Sequence, residues 1–249
     1  SPWMQKLPGG LIHVNVVGCA LFAAISGSSA ATVATVGKMS IPELRKRKYP
    51  EKILLGSLAG SGTLGLLIPP SIILIIYGVA VQESIAKLFI AGIIPGIMIA
   101  LIFMSYVIIW SLINKKIMPK ILEEYSFIDK IKRSKQLLPV IILILAVIGS
   151  IYTGIATATE AASLGVLGAL ILSYFQKSLT VETFKSSLMG ATKTSCMIAF
   201  ILAGSTFLSL AMGFTGLPRN LALWIQNMEL SPYVLIFVLM IFYIILGMF

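Results

Sequence analysis

The stretch GSGTLGLLIPPS, Gly60–Ser71, interrupts a segment that otherwise has the composition of a membrane-spanning helix. It lies inside an uncharged run, 53–82, which is longer than the roughly 20 residues that a span requires. Glycine destabilises the interior of a helix by about 1 kcal/mol relative to alanine, and proline does so by about 3 kcal/mol. Because the stretch contains three glycines followed by two consecutive prolines, it predicts a helix that breaks partway across the bilayer.

Composition predicts that the rest of the chain is also embedded in a membrane. Of its 249 residues, 58% are hydrophobic and 11% are charged, and the mean hydropathy is +1.00. Backbone polar groups in lipid must find partners within their own segment, which favours helices, and the sequence lacks the short alternating segments of a β-barrel. It therefore predicts an all-α polytopic membrane protein. The uncharged windows are 7–37, 53–82, 88–114, 136–159, 161–176, 194–218 and 230–249.

The net charge of +10 is concentrated in two clusters between these windows. Six basic residues lie in 38–52 and seven lie in 115–135. An excess of lysine and arginine in short loops is typical of the positive-inside rule, so we expect both clusters to be cytoplasmic and Arg219 to be periplasmic. A specific lipid site or a nucleic-acid site is the alternative explanation of the charge, and we expect no nucleic-acid partner.

The charge pattern and the helix-breaking residues divide the chain into seven segments. They are a cytoplasm-facing re-entrant hairpin (1–37), a basic cytoplasmic loop (38–52), a broken helix (53–78), membrane helices with a second basic cytoplasmic loop (88–176, loop 114–136), an interfacial amphipathic helix (182–193), a membrane helix (194–212) and the first, incomplete arm of a second hairpin (231–249). Because an odd number of crossings separates the two hairpins, they would enter the membrane from opposite faces. This is the inverted-repeat plan of many secondary transporters.

The first hairpin is predicted from SGSSAAT, Ser26–Thr32, which lies in the middle of the uncharged window. Charge leaves open whether 9–37 crosses the membrane or turns back, since only Lys6 precedes it. Small residues with hydroxyl groups can cap the ends of broken helices. We therefore expect the chain to turn near Gly27–Ser29 and to return to the face from which it entered.

Three stretches in order resemble the large membrane subunit of tripartite ATP-independent periplasmic (TRAP) transporters: SGSSAAT, GSGTLGLLIPPS and GIATATEAASLG. One departure is Ala158, where that family often has proline. The resemblance implies an elevator-type, sodium-coupled importer of organic acids in the bacterial inner membrane, with a periplasmic binding protein and a small membrane subunit as partners. GTLGLLIPPS is most similar to the sialic-acid and sugar-acid branch, and C4-dicarboxylates remain an alternative. The resemblance also implies that the family's first helices and its second hairpin tip lie outside this sequence.

A sodium site is predicted where the hairpin tip meets the broken helix. Sodium is a hard cation that prefers oxygen ligands, and broken helices supply unpaired carbonyls near the membrane midplane. Glycine lets the chain leave helical geometry, and the two prolines remove N–H donors. The predicted sodium ligands are Gly27, Ser28, Ser29, Gly60, Gly62 and Thr63. The substrate carboxylate is expected nearby, against helix N-termini, beside Ser26, Thr32, Ser61, Pro69, Pro70 and Ser71.

Each of these motifs also has a structural explanation. Gly56 and Gly60 have the GxxxG spacing of helix packing. The hydroxyl groups of Ser28 and Thr32 could have a purely structural role, either capping a helix or bonding back to carbonyls. The spacing of Gly60, Gly62 and Gly65 also fits a dinucleotide fingerprint, but that motif requires a preceding strand. Glu160, an acid within an apolar stretch, is either a functional residue or a stabilising charge at a helix N-terminus.

Two further functional classes are compatible with broken helices. An ion channel would line its pore with charged rings or carbonyl filters, and the sequence contains no filter repeat. An inverted-repeat anion transporter that works without a binding protein is a second alternative. An intramembrane enzyme is not expected, because the sequence has no GxSxG or HExxH motif, and its single histidine and two isolated cysteines offer no catalytic or metal-binding set.

The topology predicts how single cysteines react in whole cells. On a background lacking Cys19 and Cys196, an impermeant thiol reagent should label Arg219→Cys and leave Lys46→Cys and Lys130→Cys unlabelled, because the bilayer shields the cytoplasmic face. Permeabilised cells, in which all three cysteines should react, provide the control. Labelling at position 46 or 130 with position 219 silent would reverse the orientation.

Overall fold

The computed structural model describes Met4 and residues 7–119 and 138–247, and within these ranges all the regular elements are helices. The described residues up to Leu179 form one compact unit, and those from Thr180 onward form a second. After a short 3₁₀ turn at Gly10–Ile12, the first unit contains α1 (His13–Ser26), α2 (Ser29–Lys46), α3 (Glu51–Gly62), a 3₁₀ helix (Thr63–Leu66), α4 (Ile72–Val81), α5 (Ile85–Ile113), α6 (Leu138–Tyr152) and α7 (Ala158–Phe175). The second contains α8 (Val181–Thr215), α9 (Leu217–Gln226) and α10 (Pro232–Leu246).

Helices α1 and α2 form an antiparallel helical hairpin. The turn between them is made by Gly27, whose φ of +59° is in the left-handed region that favours glycine. Further down the two arms, Gly18 lies against Val36. At the open end the amide of Leu11 donates to the hydroxyl of Tyr49 at 3.1 Å, so the first arm begins beside the residues that follow the second.

The first arm of the hairpin is too short to cross a bilayer by itself. Its α-helix contains 14 residues, which corresponds to a length of about 21 Å, whereas the hydrocarbon core is about 30 Å thick. The second arm runs from Ser29 to Lys46 with Pro42 inside it, so the helix takes up much of the segment 38–52 that the charge pattern assigned to a loop. The basic residues Lys38, Arg45 and Lys46 therefore lie on a helix.

Residues 63–71 of the glycine- and proline-rich stretch separate α3 from α4. The α-helix ends at Gly62, continues as a 3₁₀ helix to Leu66, and resumes only at Ile72 after an extended Ser71. Pro69 and Pro70 lie in the gap, where they lack N–H donors and disfavour helical geometry in the residue before them. We call residues 63–71 the break.

Four apolar clusters hold the first unit together. The first lies at the open end of the hairpin, the next two lie along its arms, and the fourth joins α5 to α6 and α7. Their buried members are Leu11, Ile12, Leu44, Tyr49, Ile53, Leu54 and Val107; then Val16, Ala23 and Leu64; then Cys19, Val36 and Leu58; and finally Phe89, Ile151 and Ala161. Each of the first three combines hairpin residues with residues of α3 or of the 3₁₀ helix, so the hairpin and the broken helix pack as one body.

Asn15 adds a polar connection inside this apolar body. Its side chain is fully buried, and its amide nitrogen donates to the carbonyl of Leu54 at 3.2 Å and to the hydroxyl of Ser57 at 3.0 Å. In a medium without water, such bonds satisfy the donor group of a buried amide, whereas the Oδ1 of Asn15 is buried without a partner among the described residues. Asn15 therefore fixes the first hairpin arm against α3.

The second unit differs from its predicted segmentation. Residues 182–193 and 194–212, expected as an interfacial helix followed by a spanning helix, belong to the single 35-residue helix α8. The stretch contains no proline, so once the helix is nucleated nothing in the sequence stops its propagation. Residues 217–226, which the charge pattern assigned to an outer connection, form the short helix α9. Segment 231–249 contains α10.

Three of the described helices are long and apolar enough to cross a membrane: Ile85–Ile113, Ala158–Phe175 and Val181–Thr215. Shorter apolar helices accompany them, including both α4 and α10. Most of the predicted basic loop at 114–136 lies outside the described residues.

Loss of the Asn15 side chain should destabilise the protein. Asn15→Ala removes two hydrogen bonds to α3, each worth about 0.5–1.5 kcal/mol, while the Ser57 hydroxyl still donates to the carbonyl of Leu54. The matched control is Asn220→Ala, at an exposed position of α9. In detergent, the thermal unfolding midpoint of full-length protein should fall for the first variant and stay near the parent value for the second; equal midpoints would contradict this role.

Candidate functional site

The hairpin tip, which we define as Gly27–Ser29, lies against the break. The amide of Ile72, the first residue of α4, donates to the carbonyl of Gly27 at 3.2 Å. A Cβ atom built on Gly27 would lie 2.8 Å from the carbonyl oxygen of Pro70 and 3.2 Å from the amide nitrogen of Ile72. Position 27 therefore requires glycine for two reasons, its positive φ and the closeness of this approach.

Gly65 brings the 3₁₀ helix into contact with the backbone of the tip. A Cβ atom at this position would lie 2.8 Å from the carbonyl carbon of Ser28 and 2.9 Å from the amide nitrogen of Ser29. Gly62, one turn earlier, faces the side chain of Val33 on α2, and the carbonyl of Ser29 lies 3.8 Å from its Cβ position. Gly65 thus allows two backbones to pack without a side chain between them, and Gly62 makes room for the side chain of Val33.

Hydroxyl groups fix the conformation of the tip. The carbonyl of Ser28 accepts from the Thr32 hydroxyl at 2.7 Å, from the Thr32 amide at 3.0 Å and from the Ser26 hydroxyl at 3.3 Å. The hydroxyls of Ser26 and Thr32 are themselves 2.9 Å apart, and that of Ser28 caps α2 by accepting from Ala31 at 3.4 Å. Ser26 and Thr32 therefore stabilise the conformation of the tip, and their hydroxyls already make hydrogen bonds within it.

Four helix ends adjoin the tip and the break: α1 and α3 end there, and α2 and α4 begin there. The carbonyls of Gly60 and Ser61 at the end of α3 accept from the amide of Thr63, because the chain continues as a 3₁₀ helix. Partial negative charge at C-termini favours a cation, and partial positive charge at N-termini favours an anion. One region of the fold thus presents groups suited to both a sodium ion and a carboxylate.

The oxygen donors present fit a hard monovalent cation. Among the described residues, no three His, Cys, Asp or Glu side chains are grouped so as to hold a metal, so an ion here would be held by carbonyl and hydroxyl oxygens. The tip supplies such oxygens through Gly27, Ser28 and Ser29, which include both backbone carbonyls and hydroxyls. This is the type of ligand that broken-helix transporters use for sodium.

Several of the predicted site residues have other contacts. Gly60 faces the ring of Phe103 on α5, where a Cβ would be 3.4 Å from the nearest ring atom, and its carbonyl accepts from the exposed Thr63 hydroxyl at 2.7 Å. Ser61 is fully buried and donates back to the carbonyl of Ser57. The structure therefore does not bring Gly60, Ser61 or Thr63 to the tip through any of these contacts.

The proline-rich end of the break is divided between two neighbours. Pro69 packs towards α5, where its Cγ would lie 3.6 Å from a Cβ at Gly92, whereas the carbonyl of Pro70 faces the tip. Ser71 is fully buried, and its hydroxyl donates to the carbonyl of Leu66 at 2.6 Å. Of the predicted substrate residues in the break, Pro70 is the one in direct contact with Gly27.

Two residues that matter to the site were not among the predicted ones. Gly65 belongs to the glycine pattern of the broken helix, but the spacing of these glycines along one helix does not indicate that the tip contacts Gly65. Asn15 is the sole asparagine of window 7–37, and that polar residue in an apolar helix was the available signal.

Glu160 begins α7 as part of a capping box. Its carboxylate accepts from the amide and from the hydroxyl of Thr157, both at 2.8 Å, and its amide donates to the Thr157 hydroxyl at 3.3 Å. This arrangement satisfies two N–H groups at the helix start, and the acid lies where the helix dipole favours negative charge. The geometry gives Glu160 a structural role at the start of α7.

Residues 4–249 match the family described as "Tripartite ATP-independent periplasmic transporter, DctM component". The chain belongs to this family. It is 34% identical over 243 residues to the C4-dicarboxylate TRAP transporter large permease protein DctM of Pseudomonas aeruginosa, which covers 97% of this chain and 56% of that protein. As a TRAP large-permease chain, it has relatives that are named as transporter permeases and not as enzymes.

Two further relatives of this TRAP chain differ in the substrate they are named for. The sialic acid permease SiaM of Vibrio cholerae is 33% identical over 246 residues, covering 98% of this chain and 56% of that protein. The ectoine/5-hydroxyectoine permease UehC of Ruegeria pomeroyi is 32% identical over 250 residues, covering 99% and 57%. The chain thus spans little more than half the length of these relatives, and nearly equal identities do not separate their substrates.

A methyl group at Gly65 should loosen the tip. Gly65→Ala places a Cβ against backbone atoms that cannot rotate away, at a cost of about 1–3 kcal/mol, and the contact between tip and break should open correspondingly. Gly56→Ala is the matched control, because a Cβ there meets nothing within 4 Å. Hydrogen exchange of the amides of 27–32 should accelerate about tenfold or more in the first variant only; equal exchange in both would show that Gly65 does not hold the tip.

Proposed function

We propose that this chain forms the part of a TRAP large permease that couples sodium entry to the import of an organic acid. The observation that carries the proposal is the contact between the hairpin tip and the break, with the helix ends of α1, α2, α3 and α4 arranged around it. The substrate is delivered by a periplasmic binding protein, and transport takes place in the bacterial inner membrane.

The sodium site is proposed at the tip, with Gly27, Ser28, Ser29 and Gly62 nearest to its centre. Support comes from the partial negative charge at the C-terminal ends of α1 and α3, which favours a cation, and from Gly65, which lets the backbone of the 3₁₀ helix approach that of the tip. The carbonyls of Gly27 and Ser28 accept hydrogen bonds in this structure, so binding of the ion would replace some of these bonds. Gly60 and Thr63 remain in the proposal as the end of α3, where the Thr63 hydroxyl already lies 2.7 Å from the Gly60 carbonyl. A small displacement of the Thr63 hydroxyl would free both oxygens for the ion.

The substrate is proposed to be an organic acid of the sialic-acid or C4-dicarboxylate class. A carboxylate is the group that N-terminal helix ends recognise best, and α2 and α4 both begin at the site. The relatives named for C4-dicarboxylates and for sialic acid support this class. Ser26, Thr32, Ser61, Pro69, Pro70 and Ser71 would shape the pocket, most of them by fixing the backbone around it.

An elevator movement is proposed for the body formed by the hairpin and the broken helix. Its support is that the hairpin shares three apolar clusters with α3 and the 3₁₀ helix and is joined to α3 by Asn15, so these elements can move as a unit without losing their mutual contacts. The segment that contains α10 is proposed as the first arm of the second, inverted hairpin. A small membrane subunit is the proposed brace of the remaining helices.

A channel, or an anion transporter without a binding protein, would use the same broken helices differently. Proteoliposomes containing the full-length transporter distinguish the three functions. Coupled uptake that saturates and requires both sodium and binding protein supports the proposal, whereas uptake without the binding protein indicates the simpler transporter. Passive, uncoupled flux indicates a channel.

The sodium dependence of uptake tests the site. Ser28→Ala and Thr63→Ala each remove an oxygen, so the sodium concentration for half-maximal uptake should rise about threefold to tenfold. The controls are Ser231→Ala, which removes a cap of the same 3.4 Å length from α10, and Thr192→Ala, whose hydroxyl bonds back to Leu188 within α8.

Both control variants lose the same type of intrahelical bond as the test variants, so a general loss of stability would affect all four. A sodium dependence that is unchanged in Ser28→Ala and Thr63→Ala would refute the assignment of the ion to the tip. The import function would then be judged by the proteoliposome experiment alone.

A further inference from the structure

A cavity of ≈ 430 Å³ lies at the open end of the hairpin, at the opposite end from the tip. It is bounded by the segment before α1, by Tyr49 after α2 and by the C-terminal end of α5. Its lining is Leu7, Pro8, Gly9, Gly10, Tyr49, Ser111, Leu112, Lys115, Met118 and Pro119. One wall is apolar, and the other contains a lysine, two hydroxyl groups and glycine backbone.

Ser111 supplies a buried polar atom with nothing to bind. Its side chain is 4% exposed, and its hydroxyl has no hydrogen-bond partner within the described part of the chain. The hydroxyl of Tyr49, also buried, accepts from the amide of Leu11, and its own proton has no acceptor among residues 7–119 and 138–247. Two hydroxyl donors therefore border one cavity, and a buried donor without an acceptor costs about 1–3 kcal/mol.

The described residues that line the cavity contribute one charge, which is positive. Lys115 lies on the lining, and the described residues provide it with no acidic partner. The two acids nearest in sequence to Tyr49 are engaged elsewhere: Glu51 pairs with Arg45 at 2.7 Å and Glu43 pairs with Arg47 at 2.7 Å. The cavity thus presents one cationic group and two hydroxyl donors, a combination that suits a phosphate.

The depth of the cavity corresponds to the membrane surface. Helix α5 contains 29 residues, is uncharged from Leu88 onward and ends at Ile113, and Lys115 and Lys116 follow shortly after its end. Lysines at the end of a span lie at the level of the lipid headgroups. An amphipathic cavity at this level is open to the phosphate and the glycerol region of a lipid.

We propose that this cavity binds the headgroup of an anionic phospholipid, with the phosphate held by Lys115, Ser111 and Tyr49. The glycerol and the first carbons of the acyl chains lie against Leu7, Leu112 and Met118. A volume of ≈ 430 Å³ is within the range of small-molecule pockets and is larger than the volume of a bare phosphate. A bare phosphate would also make no favourable contact with the apolar lining residues. Basic pockets between helices on the cytoplasmic side recognise lipids in this way.

Bound lipid would connect three elements of the first unit. Tyr49 follows the second hairpin arm, Ser111 and Lys115 belong to the end of α5, and Gly9 and Gly10 precede the first arm. The lipid therefore stabilises the open end of the hairpin against α5. This inference concerns a different end of the hairpin from the ion site, and it does not depend on sodium coupling.

The test is calorimetric titration of the full-length protein in detergent with a soluble, short-chain phosphatidylglycerol. Lys115→Ala and Ser111→Ala should each weaken lipid binding, raising the dissociation constant about tenfold. Lys116→Ala and Ser105→Ala are the matched controls, because both residues are exposed, neither lines the cavity, and each repeats the chemistry of its neighbour. Both controls should bind within about twofold of the parent protein.

Two further titrations identify the source of the phosphate. Phosphatidylcholine of the same chain length should bind more weakly than phosphatidylglycerol, and inorganic phosphate should not compete at concentrations comparable to the lipid. Equal losses in Lys115→Ala and Lys116→Ala would indicate a diffuse surface charge and would overturn the proposal. If inorganic phosphate competes at concentrations comparable to the lipid, the ligand is a soluble anion and the lipid proposal is wrong. If Ser111→Ala does not fold, the comparison of Lys115→Ala with Lys116→Ala decides whether the proposal holds.

Discussion

The arrangement of the first unit depends on one constraint: backbone N–H and C=O groups in a bilayer have no water to bind and need partners within the protein. A helix broken at 63–71 leaves N–H and C=O groups without their intrahelical partners, and lipid could not supply replacements. The hairpin tip resolves this by approaching the break with its own backbone, and the bond from the amide of Ile72 to the carbonyl of Gly27 is the direct expression of that approach. A broken helix and a short hairpin are therefore stable together, where either alone would be costly.

Absence of side chains makes this contact possible. The positions at which a Cβ atom would collide with the opposing backbone are Gly27 and Gly65, one on each partner. At these two glycines the hairpin and the broken helix come so close that backbone carbonyls and N–H groups of the two segments lie together without intervening side chains. The proposed ion and carboxylate would be recognised there by backbone dipoles, which require little rearrangement when the ligands bind or leave.

The two ends of the hairpin serve different purposes. The tip presents polar backbone to the break, whereas the open end combines the apolar cluster around Leu44 and Val107 with the cavity beside Tyr49 and Lys115. Asn15 lies between the two ends and fixes the first arm to α3, so a displacement at either end is transmitted through a rigid body. An importer that carries its substrate with a moving body requires such rigidity, and the proposed headgroup site would add a contact at the membrane surface.

The sequence alone determined the membrane class, the position of the break and the residues of the turn, because these follow from local chemistry. Uncharged windows require helices in lipid, the consecutive Pro69 and Pro70 interrupt one, and Gly27 is suited to a left-handed turn whatever surrounds it. Helix ends were harder to predict: α2 continues through Pro42 to Lys46, and α8 runs from Val181 to Thr215, where an amphipathic and an apolar stretch join with no proline between them. What only the tertiary structure decided is which groups meet. Gly60 and Gly65 occur in one motif, yet Gly60 faces Phe103 and Gly65 faces the tip, because residues five apart lie on different sides of a helical path. Sequence spacing describes one element at a time, and the approach of two backbones is fixed only when both elements are packed.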